Sequence, residues 1–419
     1  MKPRMSQTPD ILIIGGGIIG AAGACDLARR GAKVTLIDKG QIGHGCSYGN
    51  AGFVTPCFAL PLPMPGMLLK SIRWMLDPEG PLYIKPRPSW ELLCWLACFA
   101  RSMNQRKLHD STRALTALAT YSLDAYRRID ADEPGCIGFA QRGLITIAAT
   151  AAGADDARAA MDLVAPHGIK GQVLSPDELR RLEPSVTGEI AGGVFFPDEA
   201  HVEPLAAVQT MARLAAKAGA QILPETEMFE FVIKGRRIEG VRTTRGLIRA
   251  DQFVLATGSW SPSIAKLLRL RVPILAGKGY AVVVEPFAPA PTRPLLLLEN
   301  KIGVTPRQNS VRLAGTLELV DRDESITPRR VAAMLSGGRR FLNLPEEPRI
   351  IEVWRGLRPC TPDGVPIIGR PARFDNLLLA AGHQMIGLLS APGTARLVGD
   401  LITGSPSHFD PHPFRATRF

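Results

Sequence analysis

The stretch I-L-I-I-G-G-G-I-I-G at residues 11–20 decides the fold. Its first four residues are isoleucine and leucine, which predicts a short buried strand of a parallel sheet. A helix-forming stretch follows at 21–30, and residues 33–37 predict a second strand that ends at Asp38. This order predicts a dinucleotide-binding unit: a strand, a glycine-rich turn, a helix, and a second strand that ends in an acidic residue. In such a unit Asp38 accepts hydrogen bonds from a ribose.

Each glycine of the turn has its own task in such a unit. Gly15 permits the tight turn, Gly17 lets the backbone approach a pyrophosphate, and Gly20 lets the helix pack closely on the strand. Backbone amides at the start of the helix, including those of Ile18 and Ile19, then hold the phosphates. A basic and apolar N-terminus imitates a signal peptide, but these glycines favour the nucleotide-binding interpretation.

Length, composition and charge limit the class of protein. The chain has 419 residues, of which 46% are hydrophobic and 21% charged, and its formal net charge is +11. The length predicts two or three globular domains. Seven scattered cysteines without C-x-x-C spacing predict free thiols in a reducing compartment rather than a metal or disulfide framework. The basic charge fits an anionic ligand or surface, but without a cluster of basic and aromatic residues we expect no nucleic-acid partner.

Outside the glycine-rich turn, the sequence has no apolar run long enough to span a membrane. The apolar stretches at 67–76 and 92–100 are typical of core helices with basic, solvated edges. The alternative is that the region 66–101 forms a peripheral patch on a membrane surface. We therefore expect a cytoplasmic protein, with peripheral contact at the cytoplasmic face of the inner membrane as the alternative.

Further motifs extend the pattern along the chain. They are S-Y-G-N-A-G at 47–52, K-G-Y at 278–280, W-R-G-L-R-P-C-T-P-D-G-V-P-I-I-G at 354–369 and G-H at 382–383. Together with residues 11–20 they resemble the D-amino-acid oxidase/dehydrogenase superfamily of FAD flavoproteins over nearly the whole chain, and bacterial D-amino-acid dehydrogenases most of all.

The resemblance implies an α/β fold with two domains. The first is a discontinuous Rossmann-type FAD-binding domain made of residues 1–60, 190–268 and 350–419. The second is an α+β substrate-binding domain with a mixed or antiparallel sheet, made of residues 61–189 and 269–349.

The resemblance also implies FAD as the cofactor. We expect it to be non-covalent, because the positions that carry the tether in some relatives correspond to Gly49 and Gly356. No metal site is expected. The implied FAD-binding residues are Gly15, Gly17, Ile18, Ile19, Gly20, Asp38, Lys39, Ser47, Asn50, Ala51, Gly52, Met228, Thr257, Gly258, Gly382, His383 and Gly387.

Four residues are candidates for the catalytic pocket. In the family the arginine of the G-x-R-P motif, here Arg358, binds the substrate carboxylate. A planar guanidinium suits this role because it can donate two parallel hydrogen bonds to a carboxylate. Tyr280 is a candidate for the pocket wall, with core packing as the alternative. Arg312 takes the place of a lysine that handles dioxygen in some oxidases. Gln384 begins a dipeptide that replaces the glycine-threonine of many D-amino-acid dehydrogenases and borders the pocket.

The implied reaction is oxidation of a D-amino or D-imino acid. Its Cα–H would leave as hydride to flavin N5, and water would hydrolyse the imine to a 2-oxo acid, with electrons passed to a quinone or another respiratory acceptor. The alternatives are a dehydrogenase of D-proline or cis-4-hydroxy-D-proline, and a glycine- or sarcosine-type amine oxidase. An NAD-dependent dehydrogenase would share only the glycine-rich turn, and a non-catalytic FAD-binding subunit is the remaining alternative.

Overall fold

The glycine-rich turn lies in a six-stranded sheet. The structure, a computed structural model, describes residues 10–66, 80, 82–85, 89–320 and 322–419. The strands of this sheet pair in parallel except the first, which is antiparallel to its neighbour. Their spatial order is β19 (Ile367–Gly369), β20 (Leu377–Ala381), β13 (Gln252–Leu255), β1 (Asp10–Ile14), β2 (Lys33–Ile37) and β9 (Gln221–Leu223).

Side-chain alternation along β1 divides the core between the two faces of this sheet. Ile11 and Ile13 pack against a layer of helices, whereas Leu12 and Ile14 pack towards a three-stranded antiparallel sheet. Because both faces are covered, the strand is apolar throughout. The helices are α1 (Ile18–Arg29), α6 (Pro204–Lys217) and α9 (Gly387–Thr403), and the small sheet is β10 (Met228–Lys234), β11 (Arg237–Thr243) and β12 (Gly246–Arg249).

A second sheet is mixed, with mostly antiparallel pairs, and confirms the predicted fold class. Its order is β18 (Ile350–Cys360), β14 (Leu275–Val284), β17 (Ser310–Leu319), β16 (Ile302–Arg307), β15 (Leu295–Leu297), β5 (Leu144–Ala148), β7 (Gly192–Phe196) and β6 (Gln172–Leu174), and β4 (Leu82–Ile84) pairs with β17. Strands β7 and β18 belong to this sheet although the expected FAD-binding segments include them. The exact domain boundaries therefore stay a prediction.

The remaining described elements surround the two sheets. None of the helices in the described part of the chain is long and apolar enough to cross a membrane. The apolar stretch 67–76, together with residues 77–79, lies outside the described residues. The remaining helices are α2 (Trp90–Ser102), α3 (Gln105–Asp132), α4 (Ala151–Val164), α5 (Pro176–Leu182), α7 (Ser261–Leu267) and α8 (Pro328–Arg339), and β3 (Phe53–Val54) pairs with β8 (Ala200–His201).

The two faces of the second sheet differ in chemistry. One face is an apolar core in which Tyr280 and Leu313 pack with Met334 of α8. The register places the alternate residues on the other face, because Ala281 pairs with Trp354 and Val283 pairs with Arg312. This second face points towards the loop at 47–52, because Arg312 donates a hydrogen bond to the Asn50 carbonyl.

Candidate active site

A cavity of about 590 Å³ lies between the first sheet and β18. Most residues that the sequence predicts for cofactor binding line this cavity. Gly20, Ala51, Gly52 and Gly382 are not part of its wall, although each adjoins a residue or loop that is. The predicted residues that do line it are Gly15, Gly17, Ile18, Ile19, Asp38, Lys39, Ser47, Asn50, Met228, Thr257, Gly258, His383, Gln384 and Gly387.

The glycine-rich turn has the geometry that close packing requires. Gly15 has a φ of +112°, in the region that favours glycine, and a Cβ atom there would overlap the Ala256 carbonyl. A Cβ atom on Gly20 would overlap the Gly15 carbonyl, so α1 could not start this close to β1. Asp38 fixes the turn from the end of β2, since its Oδ2 accepts a hydrogen bond from the Gly16 amide at 2.6 Å.

The loop at 47–52 is tied to three other elements. Ser47 Oγ accepts a hydrogen bond from the Ile18 amide at 3.0 Å, at the start of α1. Asn50 Nδ2 donates to the Met385 carbonyl at 3.2 Å, and the Asn50 carbonyl accepts from Arg312 at 2.7 Å. These contacts hold the loop between the glycine-rich turn, the C-terminal loop and the second sheet.

The loop at 382–387 offers a polar group to the cavity. Gln384 is 7% exposed, and its Nε2 has no hydrogen-bond partner among the described residues. Its backbone is held in place because its amide donates to the Pro359 carbonyl at 3.0 Å. A buried amide without an acceptor is costly, so this donor fits a ligand with carbonyl oxygens, such as the flavin pyrimidine. The neighbouring His383 is in contact with Thr394, and burial lowers its pKa to about 3.

Arg358 lies on the same face of the second sheet as Arg312, the face that points towards the loop at 47–52. It is not part of the cavity wall, but its neighbours Leu357 and Pro359 are. Its guanidinium lies over Gly279 and donates to the carbonyls of Thr316 and of Gly315, the latter at 3.1 Å. Desolvation lowers the pKa of Arg358. No carboxylate among the described residues forms an ion pair with this side chain, which leaves its charge beside the cavity without a counter-ion from that part of the chain.

The other two predicted pocket residues lie on opposite faces of the sheet. Tyr280 is 1% exposed in the apolar core and donates to Glu318 Oε2 at 2.9 Å. The structure places Tyr280 in the core, which was the alternative to the pocket wall, because alternation along β14 turns Gly279 and Ala281 to the opposite face of the sheet. Arg312 is on the same face as Arg358, is 4% exposed, and holds the loop at 47–52 through Asn50.

Several residues of the cavity wall were not among the predicted site residues. The ring centre of Trp260, which follows the predicted Thr257 and Gly258, lies 4.5 Å from Lys39 Nζ. Cys46 donates to the Leu357 carbonyl at 2.6 Å, and burial raises its pKa to about 11. Trp354 belongs to the motif at 354–369, but its motif position alone does not show what the indole contacts.

The comparisons with known proteins agree with this arrangement. Residues 10–401 match the model of the DAO family, described as FAD dependent oxidoreductase. The chain is 32% identical to a D-amino acid dehydrogenase of Paramagnetospirillum magneticum, over 95% of this chain and 96% of the relative. It is 30% identical to a D-amino acid dehydrogenase of Agrobacterium fabrum, over 98% and 99%.

Solved structures share the fold at lower sequence identity. The chain is similar to glycine oxidase from Geobacillus kaustophilus, with a TM-score of 0.79, 24% identity, and coverage of 99% of this chain and 100% of that one. For L-proline dehydrogenase from P. horikoshii, the TM-score is 0.77 at 20% identity, with coverage of 99% and 98%. The family match spans both sheets and the cavity between them. The chain therefore belongs to the DAO family of FAD-dependent oxidoreductases.

Proposed function

We propose that this FAD-dependent oxidoreductase oxidises D-amino acids at Cα and acts as a dehydrogenase rather than an oxidase. The names of the curated relatives support this substrate class, since they match over nearly the full length of both chains. The observation in the structure that carries the proposal is Arg358, an arginine beside the cofactor cavity that has no carboxylate partner among the described residues.

In this proposal Arg358 binds the carboxylate of an α-amino or α-imino acid. A substrate carboxylate would neutralise the guanidinium and accept two charge-assisted hydrogen bonds in place of the backbone carbonyls. The contact of the guanidinium with Gly279 leaves it flat against the sheet, so the carboxylate approaches from the side of the FAD-binding domain. This fixes one end of the substrate and thereby orients its Cα.

The residues of the cavity fit FAD in two ways. The amides of Gly17 and Ile19 at the start of α1 suit a pyrophosphate, and Gln384 Nε2 suits the pyrimidine carbonyls. FAD, when bound, supplies the acceptor for the hydride of the substrate. The resemblance supports non-covalent binding, since the positions that carry the covalent link in some relatives correspond to Gly49 and Gly356, which have no side chain.

Three titratable side chains in or near the cavity, those of His383, Cys46 and Cys360, do not act as bases at neutral pH. His383 is neutral because burial lowers its pKa to about 3. Cys46 and Cys360 remain thiols because burial raises their pKa values to about 11 and about 12. Loss of the Cα hydrogen as hydride requires no such base, so orientation by Arg358 and donation by Gln384 are the contributions of the chain.

The electron acceptor in this proposal is a quinone at a membrane surface. Arg312 stands where some oxidases of the family carry a lysine for dioxygen, which favours a dehydrogenase. On α2, Trp90 is 74% exposed, Leu93 is 58% exposed, and the small Ala97 is exposed on the same side of the helix. An exposed apolar stripe of this kind suits peripheral contact with lipid, close to where a quinone is available.

A substrate panel tests the proposed function. Purified holoenzyme is offered D- and L-amino acids, D-proline, glycine and sarcosine, with an artificial electron acceptor in one series and air in the other. We expect turnover of D-amino acids with the artificial acceptor and little peroxide formation in air. Turnover confined to L-amino acids or to glycine, or rapid turnover in air with stoichiometric peroxide, would contradict the proposal.

A further inference from the structure

The guanidinium of Arg358 lies directly over Gly279. A Cβ atom at Gly279 would overlap the central carbon and both terminal nitrogens of the guanidinium. Gly279 is buried in the pairing of β14 with β18, and its φ is not positive, so the backbone conformation itself does not require glycine. The space beside the sheet that the guanidinium fills is therefore the steric reason for a glycine at this position.

The neighbouring strand β17 has a β-bulge opposite Gly279. The register of β14 with β17 shifts here by one residue, so that two residues of β17 face Gly279 alone. One of them, Thr316, has a φ of +62°, an outlier for a β-branched residue. Such strain persists only where surrounding contacts fix it, and the Thr316 and Gly315 carbonyls both accept hydrogen bonds from Arg358, the latter at 3.1 Å.

The bulge and the glycine together fix the orientation of the guanidinium before any substrate is bound. The two carbonyls accept from the two terminal nitrogens of Arg358, which are the donors that a carboxylate would use. A partly buried cation is thereby hydrogen-bonded without an ion pair. Because the side chain is ordered in advance, a carboxylate that replaces the carbonyls does not bear the entropic cost of ordering it.

We propose that Gly279 is a positioning residue for the substrate carboxylate and acts through Arg358. This inference rests on the proposed function, because it takes Arg358 as the anchor of that carboxylate. A side chain at position 279 would push the guanidinium off the sheet and away from the carbonyls of the bulge. A displacement of about 1 Å at an orienting group can cost about 100-fold in rate.

Gly277 offers a matched comparison on the same strand and the same face. A Cβ atom there would overlap the ends of the Leu317 and Cys360 side chains, and it would lie 3.6 Å from the backbone carbonyl of Arg358, an ordinary contact. Alanine at Gly277 or at Gly279 therefore crowds the same face of β14. Only alanine at Gly279 displaces the charged group.

The test is a double-mutant cycle of Gly279→Ala and Arg358→Leu. In Gly279→Ala, the dissociation constant of acetate, followed through the flavin absorbance of the holoenzyme, should rise by about 10-fold or more, and kcat/KM for D-alanine should fall by a similar factor. In the Arg358→Leu background, Gly279→Ala should change kcat/KM by less than about twofold, because no guanidinium is left to displace. Gly277→Ala should keep both values within about twofold of the wild type.

The melting temperature gives a second readout of the same cycle. Gly279→Ala should lower it when Arg358 is present and much less in the Arg358→Leu background, which holds even where Gly279→Ala alone loses FAD. Equal losses of melting temperature in the two backgrounds, or wild-type acetate affinity in a Gly279→Ala enzyme that retains FAD, would overturn the inference. A wild-type holoenzyme that oxidises no D-amino acid would overturn the proposed function instead, and acetate affinity and melting temperature would still decide the role of Gly279.

Discussion

Replacement of Arg358 by leucine removes the proposed carboxylate anchor and leaves an apolar side chain in its place. The guanidinium makes no ion pair with the described residues, and a substrate carboxylate would take over the hydrogen bonds that it now donates to the Gly315 and Thr316 carbonyls. Each hydrogen bond to a charged group contributes about 1.5–3 kcal/mol, and a bidentate pair would contribute about 3–6 kcal/mol. Since about 1.4 kcal/mol is a factor of ten, kcat/KM for D-alanine should fall by about 100-fold or more.

The assay is steady-state oxidation with an artificial electron acceptor, normalised to FAD content. Arg358→Lys should recover part of the loss, because an ammonium keeps the charge but cannot make the planar, two-pronged contact. Arg349→Leu is the matched control, since Arg349 lies just before the same strand, is 81% exposed, and pairs with Glu285 on the surface. Its kcat/KM should equal that of the wild type.

A different pattern would refute the assignment. If Arg358→Leu lowered the FAD content or the melting temperature but left kcat/KM of the remaining holoenzyme unchanged, the arginine would serve only to hold the Gly315 and Thr316 carbonyls. The pocket for the carboxylate would then have to lie elsewhere.

Three further predictions concern the cofactor, the pH dependence of stability and the acceptor. Asp38→Ala should weaken FAD binding by about 10-fold or more in equilibrium titration, because the Gly16 amide loses its charged acceptor; unchanged affinity would contradict this. Glu199 is 2% exposed and burial raises its pKa to about 8, so the folded state holds a proton that the unfolded state releases above the ordinary value of 4.5. Wild-type stability should therefore fall from about pH 4.5 to 8 relative to Glu199→Gln, and a constant difference in melting temperature would count against it. Reduced enzyme should be reoxidised faster by a soluble quinone analogue than by air in stopped-flow absorbance, and the reverse order would exclude the proposed acceptor.

The part of the fold that the sequence predicts best is the part with local signals. The strand at 11–14, the glycine-rich turn and the strand at 33–37 lie within one short stretch, and Gly15 and Gly20 each have a steric reason to be there. The helix begins at Ile18, earlier than the predicted 21, because apolar periodicity does not show where backbone amides become free at a turn. Element type was therefore more predictable than the element boundary.

The arrangement of the pocket depends on contacts between distant residues. A shift of one residue along a strand turns a side chain to the opposite face, which is why the K-G-Y motif alone could not distinguish Tyr280 from Gly279. The position of Trp354 depends on Gly49, which lies in a loop near the other end of the chain, and no local pattern of residues encodes such packing. The pairing of β18 with β14 likewise crosses the boundary expected from the motifs.

Anaerobic reduction of the bound flavin by substrate shows whether the enzyme oxidises D-amino acids. Holoenzyme is mixed with D-alanine, D-proline or the matching L-enantiomer in the absence of any acceptor, and the flavin absorbance is followed. We expect a D-enantiomer to bleach the flavin and the L-enantiomer to leave it oxidised. Bleaching by dithionite but by none of the D-amino acids would contradict it.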